Sequence, residues 1–244
     1  PRIRKMYMAQ PIRSALCRCP GWHLSGVRCD LMHFILLGIS QHAIGGMLLV
    51  LCWIYRVWPL ARQPGAQWKS HANDMLQVAY VEFLAWAKMK ACTTRSPSLK
   101  FHGCPWKRLM IPRTSRAKQR TRSQSDIGWR KKTKTLSEAA PHDRHLGLCA
   151  CMFWGYTEIF SVCREAGQWL SDEESAQLDT ARQAALFSNH AISAEMIASG
   201  TTRFPQKPKH HCTDHCLRQA SKSKMNPSWH WCFADEDLIG RMKK

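Results

Sequence analysis

Carboxylates are scarce in this chain. Asp and Glu number 17 against 36 Lys and Arg, a formal net charge of +19, which works against a polycationic partner and favours a polyanion, either nucleic acid or an anionic membrane surface. Cleavable signal character is missing too, since the sequence opens on Pro1 and Arg2 rather than on an initiator Met. The expectation is an internal piece of a longer protein, its 12 cysteines mostly reduced rather than built into a disulfide framework. No internal repeat and no sustained heptad pattern is present, which excludes a solenoid and a long coiled coil. From Leu31 to Tyr55 there is no Asp, Glu, Lys or Arg at all.

That charge-free run is long enough to span a bilayer. His33, Ser40, Gln41, His42 and the pair Gly45 and Gly46 dilute it, and the preferred reading is a helix buried in protein and broken near the glycines. Ahead of it, Val27 to Cys29 reads as the end of a strand, leaving Asp30 at the junction. With 45% hydrophobic residues the chain can bury a core, so disorder throughout is excluded.

Further along, Asn73 or Asp74 is placed to cap a helix running to about Ala91, with Leu76, Ala79, Tyr80, Phe83 and Ala87 on one face. Between Arg95 and Lys134 the pattern dissolves around Pro97, Pro105 and Pro112. Arg113, Arg116, Lys118, Arg120, Arg122, Arg130, Lys131, Lys132 and Lys134 are opposed there only by Asp126. The expectation is a flexible basic loop, either a solvated charge run or a DNA-contacting segment. Helical pattern resumes from about His145 to Gln168. Next, "SDEE" at Ser171 to Glu174 is a capping box that opens a helix to Ser199, with Leu178, Ala181, Ala185, Ile192 and Met196 buried and Gly200 as the stop. Pro205 and Pro208 break the chain after it. The fold class expected from these elements is mainly α with a small mixed β component.

Three short places carry more than packing. In "DLMH", Asp30 to His33, the Asp either caps the next helix or projects from a strand end where α/β folds place ligands. In "KPKHHCTDHC", His211 and His215 are spaced to share a helix face, as are Cys212 and Cys216, which suits zinc. With no Cys-x-x-Cys pair beside them, packing and hydrogen bonding are the preferred roles over a zinc site. Near the end, Asp235, Glu236 and Asp237 precede Leu238, Ile239 and Gly240 and then Arg241, Lys243 and Lys244. Acids in a first helical turn need only the helix dipole to explain them, yet they are also suited to hold a cation.

Together these places resemble a known family. "DLMHFILLGISQHAIGGML" resembles the Asp-x-Met-His stretch followed by Leu-Gly-Ile or Leu-Gly-Val of CACTA-type and Plavaka-like DNA transposases. "PKHHCTDH" is similar to their Pro-Lys-x-His-x-x-x-His segment, and "EDLIGRMKK" to their Glu-x-x-x-Gly-x-x-Lys-Lys ending. The match covers residues 27–48 and 204–244, in the same order along the chain. The resemblance implies a partial RNase H-like core of the DDE type interrupted by a large helical insertion. Residues 1–60 and 201–244 would then belong to the core, and 61–200, with the basic loop at 95–134, to the insertion. By that analogy Asp30 and Glu236 are catalytic carboxylates that bind Mg²⁺ or Mn²⁺, with His33, His211 and His215 in support. The first Asp would lie upstream of Pro1. The implied partner is DNA, with a homo-oligomer as a further option, no small-molecule cofactor, and the nucleus as the location in a eukaryote.

The chemistry explains the pairing of acids with bases. Two hard cations about 4 Å apart can activate the attacking oxygen and stabilise the leaving one, while basic side chains hold the DNA backbone. The rival readings are a basic protein anchored in a membrane through Leu31 to Tyr55, a non-catalytic nucleic-acid-binding module, and a decayed reading frame suggested by 11 Trp and 12 His.

Overall fold

The charge-free run is helical from its first residue in the computed structural model, which describes residues 30–59, 68–89 and 115–231 together with Pro20. It comprises α1 (Leu31–Phe34), a π-helical turn (Ile35–Ile39) and α2 (Ser40–Trp53). Leu31, Ile35, Ile39, Met47 and Leu51 are fully enclosed by other parts of the protein, so the run serves the core. The expected break near Gly45 and Gly46 does not occur. Gly46 instead lets the Arg203 carbonyl and the Phe204 ring approach the helix closely, and the irregularity falls earlier in the run, in the π turn.

Among the described residues five further helices follow. After α3 (Trp68–Met89) come α4 (Ser115–Ala139), α5 (Arg144–Glu165), α6 (Asp172–Ala198) and α7 (Pro208–Ser223), then a 3₁₀ turn at Pro227–His230. The connections from α4 onward are short, so sequential neighbours pack antiparallel. Contacts fix the register: Arg144 and His145, at the start of α5, meet Glu195 near the end of α6 at 2.6 and 3.0 Å. Ser175, at the start of α6, donates to the Ser221 carbonyl near the end of α7 at 2.8 Å. A single apolar cluster runs from Leu31 through Tyr156 and Leu178 to Ala220. The chain is thus mainly helical. Among the described residues no strand forms, and their β pairing is an isolated bridge between Trp169 and Met225; the strand expected at Val27 to Cys29 lies outside the described residues.

Helix ends follow their local chemistry. Ser171 accepts from the Glu174 N–H at 3.1 Å while the Glu174 carboxylate accepts from the Ser171 N–H at 2.8 Å, the expected capping box. At the other end Gly200 takes φ +77, its N–H reaching the Ile197 carbonyl and that of Thr201 the Met196 carbonyl, the pattern of a Schellman stop. The carboxyl end of α5 is closed from a distance. Asn226, fully buried, donates its amide to the carbonyls of Cys163, Ala166 and Gly167 at 2.9, 3.2 and 2.9 Å.

Two expectations need correction. The basic stretch is not a loop throughout, because Ser115–Ala139 is helical. The prolines all precede it, and Trp129, Thr133 and Leu136 recur at helical spacing to pack against the core, a stripe masked in sequence by the charges around it. Likewise α3 starts at Trp68 rather than at a cap on Asn73 or Asp74. Nothing in the preceding turn breaks a helix, and Asp74 sits exposed inside it.

The α5 and α6 backbones touch at Gly155. A methyl there would lie 2.6 Å from both the Ala181 carbonyl oxygen and the Ala185 nitrogen. Gly155→Ala is therefore expected to lose about 1–2 kcal/mol net, although alanine gains about 1 kcal/mol in helix propensity. Gly147→Ala, on the same helix with nothing within 4 Å of the added carbon, is expected to gain up to about 1 kcal/mol. Thermal unfolding of the two variants side by side checks the pair, and shifts of equal sign would refute the close crossing.

Candidate functional site

Asp30 stands immediately before α1, and its carboxylate contacts the Nδ1 of His33 one turn later. A carboxylate on Nδ1 orients an imidazole and selects its tautomer. The Asp30 side chain is 13% exposed and that of His33 38%, so the pair is anchored in the protein with the ring toward solvent. From 176 residues further on, Lys209 lays its stem over Gly38 in the π turn and donates from Nζ to the His33 carbonyl at 3.1 Å. The "DLMH" and "PKHHCTDH" segments thus meet in space. The π turn contributes directly, since its irregular backbone sits where the lysine crosses.

Within α7 the histidines divide. Pro208 occupies the first turn, where its missing N–H costs nothing, and this places His210 on the inner face with Thr213, Leu217 and Ala220. His210 Nδ1 accepts from the Lys207 N–H at 3.0 Å, and Nε2 lies 2.9 Å from the Asn189 side-chain amide. Sequence reasoning missed His210; the signal available was its place in the buried stripe 210, 213, 217, 220. His211 and His215 face outward with ring centroids 4.3 Å apart. Cys212 and Cys216 are half-buried. Among the described residues no three His, Cys, Asp or Glu side chains are grouped to hold a metal ion.

Buried Arg182 joins α6 to α7. It donates to Asp179 at 2.8 Å and also contacts Asp214, which in turn accepts from Arg218 at 3.0 Å. The hydrogen bond from Arg182 is the main reason the Asp179 carboxyl is held below its ordinary pKa. The interior thiols are of the opposite kind: burial pushes Cys52 up to about 11 and Cys149 and Cys163 up to about 12. At neutral pH these three are protonated packing groups rather than nucleophiles.

The basic residues proposed for DNA are distributed along α4, apart from Arg113, which lies outside the described residues. Arg116, Lys118, Arg120 and Arg122 lie on its first half and Arg130, Lys131, Lys132 and Lys134 on its second. Within the stretch only Asp126 opposes them, but the fold brings carboxylates from other helices to two of them, and Glu138, one turn on, meets a third. Arg130 donates to Thr157 at 3.2 Å and lies 3.7 Å from Glu158, Lys132 pairs with Glu82 at 2.7 Å, and Lys134 with Glu138 at 3.6 Å. Lys131 is exposed. Burial works to raise the Glu82 pKa, yet hydrogen bonds from Lys132 and Trp58 outweigh it and hold the carboxyl low. Such partly exposed pairs contribute about 0–1 kcal/mol each, so a phosphate can replace the carboxylate at little cost.

Asp235, Glu236 and Asp237 lie outside the described residues, so the distance from Asp30 to Glu236 does too. Among the described residues Arg144–Glu165 is the one helix long and apolar enough to cross a membrane, and most of its apolar length is buried in the protein. Comparison with protein-family models, curated proteins and solved structures returned no match.

His210 has its pKa lowered from the ordinary 6.5, first by burial and then by the nearby charges of His42 and Lys207, against the opposing hydrogen bond to Lys207. The unfolded chain then takes up the proton more readily. Its contribution to stability is complete above about pH 6.5 and is lost as pH falls from there toward the depressed folded value, with a slope of at most about 1.4 kcal/mol per pH unit. Urea unfolding between pH 7.5 and 5.5, run on the wild type and His210→Gln, is expected to show a shallower pH dependence in the variant. Parallel curves would remove His210 as the titrating group.

Proposed function

We propose that the chain is the later part of a metal-dependent DNA transposase, with Asp30 and Glu236 in an RNase H-like core and the intervening helices as an insertion. The observation that carries this reading is the contact between Lys209 and His33, 3.1 Å across 176 residues. Two of the three segments that resemble the family must converge if they share a site, and these two touch. The net charge of +19 and the run of Arg and Lys on α4 suit the DNA backbone.

Asp30 fits the role of a metal ligand in part. Its carboxylate offers hard oxygen at the protein edge, one oxygen being engaged by His33. The described residues do not complete a metal site around it, so the remaining ligands in this reading are Glu236 and a carboxylate from outside the chain. A divalent ion bound there would supply the charge that activates an attacking oxygen and stabilises a leaving one. The chain's own part is to hold Asp30 through His33, to fix the His33 backbone through Lys209, and to grip the DNA through α4.

A crystal structure grown with Mn²⁺ tests the core. The carboxylates of Asp30 and Glu236 are expected within about 8 Å of one another, whereas a separation beyond about 12 Å rules out shared ions and with them the catalytic assignment. DNA binding has its own test, fluorescence anisotropy of a labelled duplex at several salt concentrations. Log affinity is expected to fall linearly with log salt, by about 0.9 per phosphate contact, and Lys131→Ala to reduce that slope by about 1. A flat salt dependence, or no binding at low salt, removes DNA as the partner.

A further inference from the structure

Between Trp58, α3 and α4 there is a cleft of ≈ 190 Å³. Its walls include Trp58, Ala79 and Trp129, with Lys131, Lys132 and Thr135 also on the lining from α4 and Glu82 from α3. Glu82 sets the geometry of one side: it accepts from the Trp58 indole N–H at 2.5 Å and from Lys132 Nζ at 2.7 Å. The Lys132 ammonium consequently stands 5.6 Å from the centre of the Trp58 ring. An apolar cavity of about 150 Å³ is enough to admit benzene, so this volume accommodates a single aromatic ring.

The lining narrows the class of ligand. Two indoles and an alanine favour a flat apolar ring, while lysines on the same lining favour an anion attached to it. An aliphatic ligand makes no use of the lysines, and an inorganic anion makes no use of the indoles. A nucleotide unit in a strand makes use of both. The cleft also lies on α4, whose basic residues extend along the helix away from it. In a duplex the bases are stacked and cannot enter, so the cleft distinguishes an unpaired base from a paired one.

We propose that this cleft receives one unpaired base of single-stranded DNA, the ring seated against Trp58 and Trp129 and the flanking phosphates on Lys131 and Lys132. This rests on the reading that the chain binds DNA, and adds to it that the bound DNA is open at one position. On binding, Lys132 exchanges its partner Glu82 for phosphate, which its partial exposure permits. Seating of the base follows the stacking contacts by which single-strand binders hold bases without sequence preference.

Anisotropy with three labelled probes tests it at low salt: an oligothymidylate, the same backbone with abasic sites, and a duplex of equal length. The oligothymidylate is expected to bind about tenfold more tightly than the abasic strand, since both present the same phosphates and only one presents rings. Thr135→Phe, an exposed position that fills the cleft without changing charge, is expected to abolish that difference while leaving duplex binding and the thermal midpoint unchanged. Equal binding of the two single strands by the wild type overturns the inference, as does a preference that survives in Thr135→Phe. If the duplex binds and the base preference is absent, the inference falls alone; if no probe binds, the DNA-binding reading falls with it.

Discussion

The absence of a side chain at Gly155 is the constraint on which the arrangement of the helices depends. It lets α6 lie with the backbone at Ala181 and Ala185 directly against α5, and the register of that contact brings Arg144 to Glu195 at one end and Gln177 to Glu158 at the other. With α5 and α6 locked, the remaining helices have defined surfaces to cover. α4 packs along α5 through Trp129 and Thr133, and α7 lies on α6 through Leu217 and the Arg182 network. Burial of each large apolar side chain contributes about 1.5–3 kcal/mol, but only where the partner helix is close enough to exclude water.

Polar contacts then connect distant parts of the chain without forming further core. Tyr55, beyond the end of α2, donates to Asp143 at 2.5 Å, while the same carboxylate caps α5 through the Leu146 N–H at 2.9 Å. Burial works to raise the Asp143 pKa, but these hydrogen bonds hold it down, and burial together with the carboxylate keeps the proton on Tyr55. Asn226 does the equivalent for the other end of α5. These ties hold the end of α2 and the segment after α7 against opposite ends of α5, while Lys209 joins the start of α7 to His33. The candidate site is therefore a consequence of α7 crossing the π turn, and the cleft at Trp58 a consequence of how α3 and α4 meet beside it.

Much of the helical frame was legible in the residues themselves. The box at Ser171 and Glu174 and the stop at Gly200 set the limits of α6, because capping is a local exchange of hydrogen bonds within four or five residues. The α5 pattern from about His145 was readable for the same reason. The basic stretch was not, since a helix in which charges alternate with a sparse stripe of Trp129, Thr133 and Leu136 has the composition of a solvated loop. What the stripe packs against is α5 and the rest of the core, which lie far from it in the chain. His210 was likewise hidden beside the more conspicuous His211 and His215, because facing inward depends on where Pro208 starts the helix.

By itself, then, the sequence determined a basic, mainly helical chain, the ends of α6, and an apolar run beginning at Leu31 that had to be covered by something apolar. Composition and short-range spacing suffice for these, because charge sums over residues and caps act locally. Only the tertiary structure decided that protein covers this run, that its irregularity is a π turn beside Lys209, and that the charges of α4 are partly matched by carboxylates from other helices. Each of these depends on groups far apart in the chain, and their meeting is set by the close approach of helices, a property of packed surfaces that no single segment carries.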